Sequence, residues 1–528
     1  MFRKTVLFLS VLILVGASFS CKEESMTAER MQTMLDSLEI KLDWLDYRLA
    51  GESWQAGTTG QADSLEFYGN LYDYVFADLE TYTLLNRHKN LFKDEEDIKR
   101  FELLNARFLS GIIDAKNPVR NLCDSLNGLS ENYAPELMAE TKPLSEVARY
   151  ISESKNRTHR EMALRAYYDI GNQMEPGMER LFRMRNQQAR KTGYNNYMAL
   201  LANRDEMKPE QCEQLIKKLD SLTAGPYLGL MEKIRSSLAF SEVELWDIPY
   251  YFSGVNGEIN AYFPAESQFD YIRASLADLG FPLDKLPIYW DIEESPERPA
   301  DTKPYIIRTP FDQRLSGNTG AGFAVTRQLH EQFGYLLYSS FIAQEKALYN
   351  EPLHGAFADG MLDIFGDITE SGDWLKKYTT APAGLVERFV TARREQKLID
   401  LRMLLVRMEF EFEAYTNPTR DLNKVYWDTF VKYMSLPRHD DIKIWAVDSR
   451  YIDRPLTYKN DLLARMIAAQ TLTYLEKNNE GVVANPETRA FLVQNYFRFG
   501  SRYGWQDLIQ RGTGEDIDVG YYLERLSI

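Results

Sequence analysis

The stretch RQLHEQFGYLLY, residues 327–338, sets His330 directly before Glu331 within a run of apolar residues. On a helix, residues four apart share one face with roughly 6 Å of rise between them. Two imidazoles at that spacing grip one zinc ion while a glutamate beside the first activates the bound water, which is the logic of H-E-x-x-H. Here the fifth position is Gly334, so one imidazole and the base are present and the second imidazole is not. A His-Glu pair alone arises by chance on many helix surfaces and by itself specifies no chemistry.

The elements available to position this pair are helical almost everywhere beyond residue 25. KLDWLDYRLA, LRAYYDIGNQMEPGMERLFRMRNQQARK, EQCEQLIKKLDSL and LARMIAAQTLTYLEKN all space apolar residues by three and four, the signature of an amphipathic helix. Strand-like alternation is scarce, and KPYIIRTPF at 303–311 predicts one arm of a small sheet. Stretches bearing Pro and Gly near 247–258, 293–304 and 311–322 predict loops. No internal repeat, Ser/Gly-rich linker or low-complexity tract interrupts the chain. The expected fold class is all-α, a large helical domain with a minor β element.

With 44% hydrophobic and 27% charged residues, the composition is that of a globular protein. A net charge of -16 excludes a broad nucleic-acid surface, since phosphate binding needs a concentrated basic face. The first twenty residues, MFRKTVLFLSVLILVGASFS, combine Arg3 and Lys4 with an apolar run and small residues, the pattern of an export signal. Ending on Ser20-Cys21, they resemble a bacterial lipobox, with Cys21 as the lipidation site and the membrane as a partner through that anchor. The following Lys22, Glu23 and Glu24 resemble the short charged tag of surface-exposed outer-membrane lipoproteins. Beyond Cys21 only Cys123 and Cys212 remain, so a disulfide framework is excluded and two buried free thiols are expected.

The chain around His330 adds specificity. QLHEQFGYLLYSSF followed by NEPLHGAFADGMLDIFGDI resembles the metal-binding core of the peptidyl-dipeptidase family that includes angiotensin-converting enzyme and its bacterial oligopeptidase relatives. Residues 181–220, 408–434 and 499–526 resemble further blocks of that family in the same order, so the likeness runs from about 150 to 528. It implies a zincin-type helical peptidase domain enclosing a central channel, a single domain over 21–528. Residues 25–150 match no block and are expected to form a lid.

The same resemblance exposes departures. The family's third zinc ligand, a glutamate, falls on Asp359, and Glu351, Pro352 and His354 match the segment before it. In the C-terminal half the family places an oxyanion-stabilising histidine and tyrosine around a proline turn. Here no histidine precedes Pro455, and the tyrosine position falls on Asp461, with Tyr458 nearby. Asp359 is shorter than glutamate by about 1.5 Å of reach, Gly334 offers no ligand, and a carboxylate at Asp461 would repel a developing oxyanion. The expected function is therefore peptide or oligopeptide binding by a peptidase relative whose chemistry is lost, with Glu331 a vestigial base and no bound cofactor. Two alternatives stand beside it. One is an active peptidase of dipeptidyl carboxypeptidase or oligopeptidase type holding zinc through His330, Asp359 and His354. The other is a scaffold subunit of a surface assembly, with Phe333, Tyr335 or Phe357 plugging the former metal site. The remaining histidines, His88, His159 and His439, belong to distant segments.

Overall fold

The computed structural model describes residues 26–62, 64–114, 118–204, 207–292, 302–353, 355–479 and 481–528. The export signal, Cys21 and His354 lie outside the described residues. Helices dominate, as the periodicity predicts. Helix α1 (Ala28–Thr59) begins where the Thr27 side chain accepts the Arg30 N–H and ends at Gly60 in the left-handed region, φ 71°. Its stripe Met31, Leu35, Leu38, Leu42 and Leu45, spaced by threes and fours, is buried. It packs on α2 (Glu95–Asp114), whose Arg100, also buried, donates through Nε to Glu39 at 2.8 Å and through Nη2 to Asp36 at 2.6 Å.

Helices α3 (Gly171–Lys191) and α4 (Pro209–Leu238) follow. Residues 247–258, expected as a loop, instead fall within helix α5 (Asp247–Asn260). Pro249 sits in its first turn, where the missing N–H has no helical acceptor to lose, and Gly254 and Gly257 are tolerated inside it.

Two small sheets complete the picture. β1 (Glu136–Leu137) and β2 (Glu140–Thr141) form a short antiparallel pair. β3 (Ile288–Asp291), β4 (Lys303–Arg308) and β5 (Asp312–Ser316) form a sheet of order β3-β5-β4, parallel at β3/β5 and antiparallel at β4/β5. β4 is the expected strand, while β5 claims part of the 311–322 stretch expected as loop.

The site region is built from α6 (Phe323–Ser340), α7 (Ala356–Thr369), the short α8 (Gly372–Tyr378), the long α9 (Ala383–Thr416), α10 (Leu422–Met434) and α11 (Tyr458–Asn478). α7 lies between α6 and α11. On the α11 side it approaches closely enough that a Cβ at Gly360 would meet the Ile467 side chain at 2.9 Å.

Many buried side chains tie these helices together through main-chain carbonyls. Arg185 donates to the Tyr451 and Ile452 carbonyls at 2.5 Å each, and Asn186 to that of Tyr415 at 2.7 Å. Tyr227 donates to Met434 at 2.8 Å, Arg402 to Tyr433 at 2.9 Å, and Trp427 to Ile442 at 3.0 Å. Both described cysteines are free thiols, Cys212 buried and Cys123 partly so.

The N-terminal helices are fastened to the rest of the chain. Glu39 accepts the Leu348 N–H at 3.2 Å, Tyr349 donates to the Glu96 carbonyl at 2.8 Å, and Arg107 reaches Glu351 at 2.6 Å.

Candidate functional site

α6 and α7 run antiparallel in close contact. Glu331 lies against Gly366, Gly334 against Phe365, and Tyr338 faces Phe357 with ring centroids 6.0 Å apart. This register sets the fate of every candidate ligand.

His330 is fully buried. Its Nδ1 lies 3.1 Å from the Thr326 carbonyl, one turn back, so that nitrogen carries the proton and donates. Nε2 is buried without a hydrogen-bond partner, and the ring meets Trp374 of α8 edge to face at 5.4 Å. Burial pushes the imidazole pKa down to about 4, with the Thr326 contact opposing.

Where a second imidazole would have to stand, the space is taken. A Cβ built on Gly334 would lie 2.3 Å from Cδ2 of Phe365, far inside van der Waals contact. The plug is thus Phe365, and the aromatic residues expected in that role are placed otherwise. Phe333 packs toward Phe269 and Trp290, and Phe357 toward Tyr338 and Tyr496, all as core. Tyr335 lines a separate cavity near α1.

Asp359 stands two turns before Gly366 on α7, about 10 Å along the helix axis at 1.5 Å per residue. His330, beside the Glu331/Gly366 level, is therefore not brought together with it. Asp359 lies 3.5 Å from Arg454 instead, with its side chain 31% exposed. Among the described residues no three His, Cys, Asp or Glu side chains are grouped to hold a metal ion. Of the set His330, Asp359 and His354, the two described members stand apart, and the third lies outside the described residues.

Glu331 is not a free base. Arg327, one turn earlier, holds its carboxylate at 2.5 Å, and the same guanidinium reaches Glu370 at 2.8 Å, Asp363 at 3.7 Å and Asp367 at 3.8 Å. Lys397 of α9 bridges Asp367 and Glu370 at 2.6 Å each, and Arg393 meets Glu370 at 2.6 Å. Burial pushes Glu331 up to about 7 against the pull of Arg327, and pushes Asp363 up to about 8. Burial would raise Glu370 too, but Lys397, Arg393 and Arg327 outweigh it and hold that carboxyl well below the ordinary range.

In the C-terminal segment, Asp461 is paired with Arg450. Tyr458 donates its phenol to Asp448 at 2.5 Å and lies under the Arg450 guanidinium, 4.7 Å from its ring centroid. Neither side chain is left poised as an oxyanion donor.

Sequence reasoning missed Arg327, Phe365 and Trp374. For the first a signal existed: Arg327 and Glu331 are four apart, and Asp363, Asp367 and Glu370 follow at helical spacing on one face. For the other two none did, because a glycine and an aromatic 31 positions apart carry no mark of their contact.

Residues 150–271 match Peptidase family M3. No curated protein sequence matches the chain. Among solved structures, "PZ peptidase A with inhibitor 2" superposes with a TM-score of 0.71 at 14% identity, over 96% of this chain and 97% of that one. The chain has the large helical fold of an M3-type peptidase. The family match ends before His330, while the structural match takes in the N-terminal helices that matched no block by sequence. Peptidases of family M3 use zinc. The described residues do not fit it: His330 Nε2 offers one unpartnered lone pair, and Gly334 and Asp359 supply no second or third ligand beside it.

Introducing Gly334→His is expected to lower thermal stability, since overpacking a core costs about 1–3 kcal/mol, without bringing stoichiometric zinc. Adding Phe365→Ala should relieve part of that loss, a non-additivity read by a double-mutant cycle. Acid supplies a second check. His330 is held neutral in the fold to about pH 4 and titrates near 6.5 when unfolded, so its contribution is complete above 6.5 and lost as pH falls toward 4. Between pH 7 and 5 the protein should lose about 2 kcal/mol more stability than His330→Gln does in denaturant titrations.

Proposed function

We propose that the protein binds peptides on the scaffold of an M3-type peptidase and has lost the hydrolytic chemistry, working from the cell envelope through a lipid on Cys21. One observation carries the loss: Phe365 fills the place of the second imidazole, at 2.3 Å from where a Gly334 Cβ would be. The capture of Glu331 by Arg327 supports it, because a general base must be able to take a proton from water and this carboxylate already holds a guanidinium. Peptide binding is supported by the retained fold and by a cavity between the N-terminal helices, β4 and α6, where Tyr335 lies one turn beyond Glu331.

Metal content and peptide turnover test the reading together. Protein produced with zinc supplied should carry well under one zinc per chain by plasma mass spectrometry. It should also bind fluorescein-labelled oligopeptides saturably and return them intact by mass spectrometry. Stoichiometric zinc that disappears in His330→Ala, with cleavage of those peptides, would establish an active peptidase with an atypical site. Absence of any peptide binding would instead favour a scaffold role. For the anchor, metabolic labelling with a palmitate analogue should mark the wild-type protein and leave Cys21→Ser unmarked.

A further inference from the structure

Helix α1 carries two apolar stripes. The first, from Met31 to Leu45, is core. The second, Ile40, Trp44, Tyr47, Gly51 and Trp54, keeps the same spacing of threes and fours on the opposite face. Single exposed apolar residues are ordinary, but a second stripe in register is not. Ile40 is 64% exposed and Tyr47 44%. Aromatic walls stand on both sides of this stripe. Tyr68, from the helix Leu65–Phe76, meets Trp44 edge to face at 5.7 Å. Tyr289 of β3 and Tyr305 of β4 meet Trp54 edge to face at 5.8 and 5.3 Å. The stripe is therefore the floor of an aromatic trough.

Gly51 interrupts that floor. A Cβ built on it has nothing within 4 Å, so the space above it is open. Tyr47 and Trp54, seven residues apart, stand about 10 Å from each other along the axis, and the gap between them admits one ring or branched side chain.

The charges beside the trough differ from one wall to the other. On the sheet side Arg308 lies over the Tyr47 ring and pairs with Asp43 at 3.1 Å, and Arg314 lies over Trp54 and pairs with Asp312 at 2.7 Å. On the opposite side Arg48, three residues before Gly51, lies over the Tyr68 ring at 4.7 Å and donates its Nη2 to the Tyr68 hydroxyl. Its Nε is buried without a hydrogen-bond partner, and among the described residues no carboxylate comes within ion-pair distance of it. A guanidinium held in place by a ring, with donors unused, is preorganised for a planar carboxylate.

We propose that this trough binds an apolar group carrying a carboxylate, the apolar part entering beside Gly51 and the carboxylate meeting Arg48, supplied by the carboxyl terminus of a peptide or by a free apolar acid. The first of these sources rests on the peptide-binding function proposed above, and the site itself does not.

Isothermal titration of the protein with N-acetyl-L-phenylalanine and with N-acetyl-L-phenylalaninamide tests the assignment. The acid should bind at least tenfold more tightly than the amide, and Arg48→Gln should abolish that preference. Gly51→Leu should weaken the acid at least tenfold. It places a strong helix former in open space and so keeps the fold, which serves if Arg48→Gln does not. No binding of the acid, equal binding of the amide, a preference that persists in Arg48→Gln, or unchanged affinity in Gly51→Leu would overturn the proposal. N-acetyl-Ala-Ala-Phe distinguishes the sources: binding tenfold tighter than N-acetylphenylalanine assigns the trough to peptide carboxyl termini, and equal or weaker binding assigns it to free acids. Binding of the acid by a protein that takes up no labelled oligopeptide would sustain the trough and remove the peptide function, so the two failures are told apart.

Discussion

Two helices lying nearly bare against each other set the conditions for everything around them. α6 meets α7 where Gly334 faces Phe365 and Glu331 faces Gly366, and at each contact one partner has no side chain. Such contacts let the backbones close up and leave no volume to spare, since protein interiors are packed to crystal-like density. Once that distance is fixed, His330 is committed to the core beside Trp374, and the carboxylates of α7 come within reach of α6.

The electrostatics follow from the same closeness. Glu331, Asp363, Asp367 and Glu370 are gathered into a partly buried space, where unpaired like charges would repel strongly. Arg327, Arg393 and Lys397 answer them from within the chain. In a metal enzyme a divalent ion holds carboxylates together around an open coordination position. A guanidinium does the holding here, and it offers neither a Lewis-acid position nor an activated water. The result is a cluster suited to cohesion between α6, α7 and α9.

Much of the fold was legible because helix formation is local. The stripe from Met31 to Leu45 announces α1 without reference to anything distant, and β4 is visible in its own alternation. Pro249, Gly254 and Gly257 carry a loop signal by residue type but stand in helix α5, because a proline in the first turn breaks nothing. The candidate site was legible only as a set of departures. Gly334 could be seen to lack an imidazole, but that Phe365 fills the gap is a long-range packing fact. Likewise Asp359 could be placed on a helix, whereas its axial level relative to His330 depends on how α6 and α7 register.

The bonds from Arg185, Asn186, Tyr227, Arg402 and Trp427 end on backbone carbonyl oxygens. A carbonyl belongs to every residue type, so each bond survives replacement of its acceptor residue. Such a framework asks few positions to keep their identity and lets the rest drift. That is one physical route by which a chain can hold an architecture over nearly its whole length in common with a structure with which it shares only 14% of its residues.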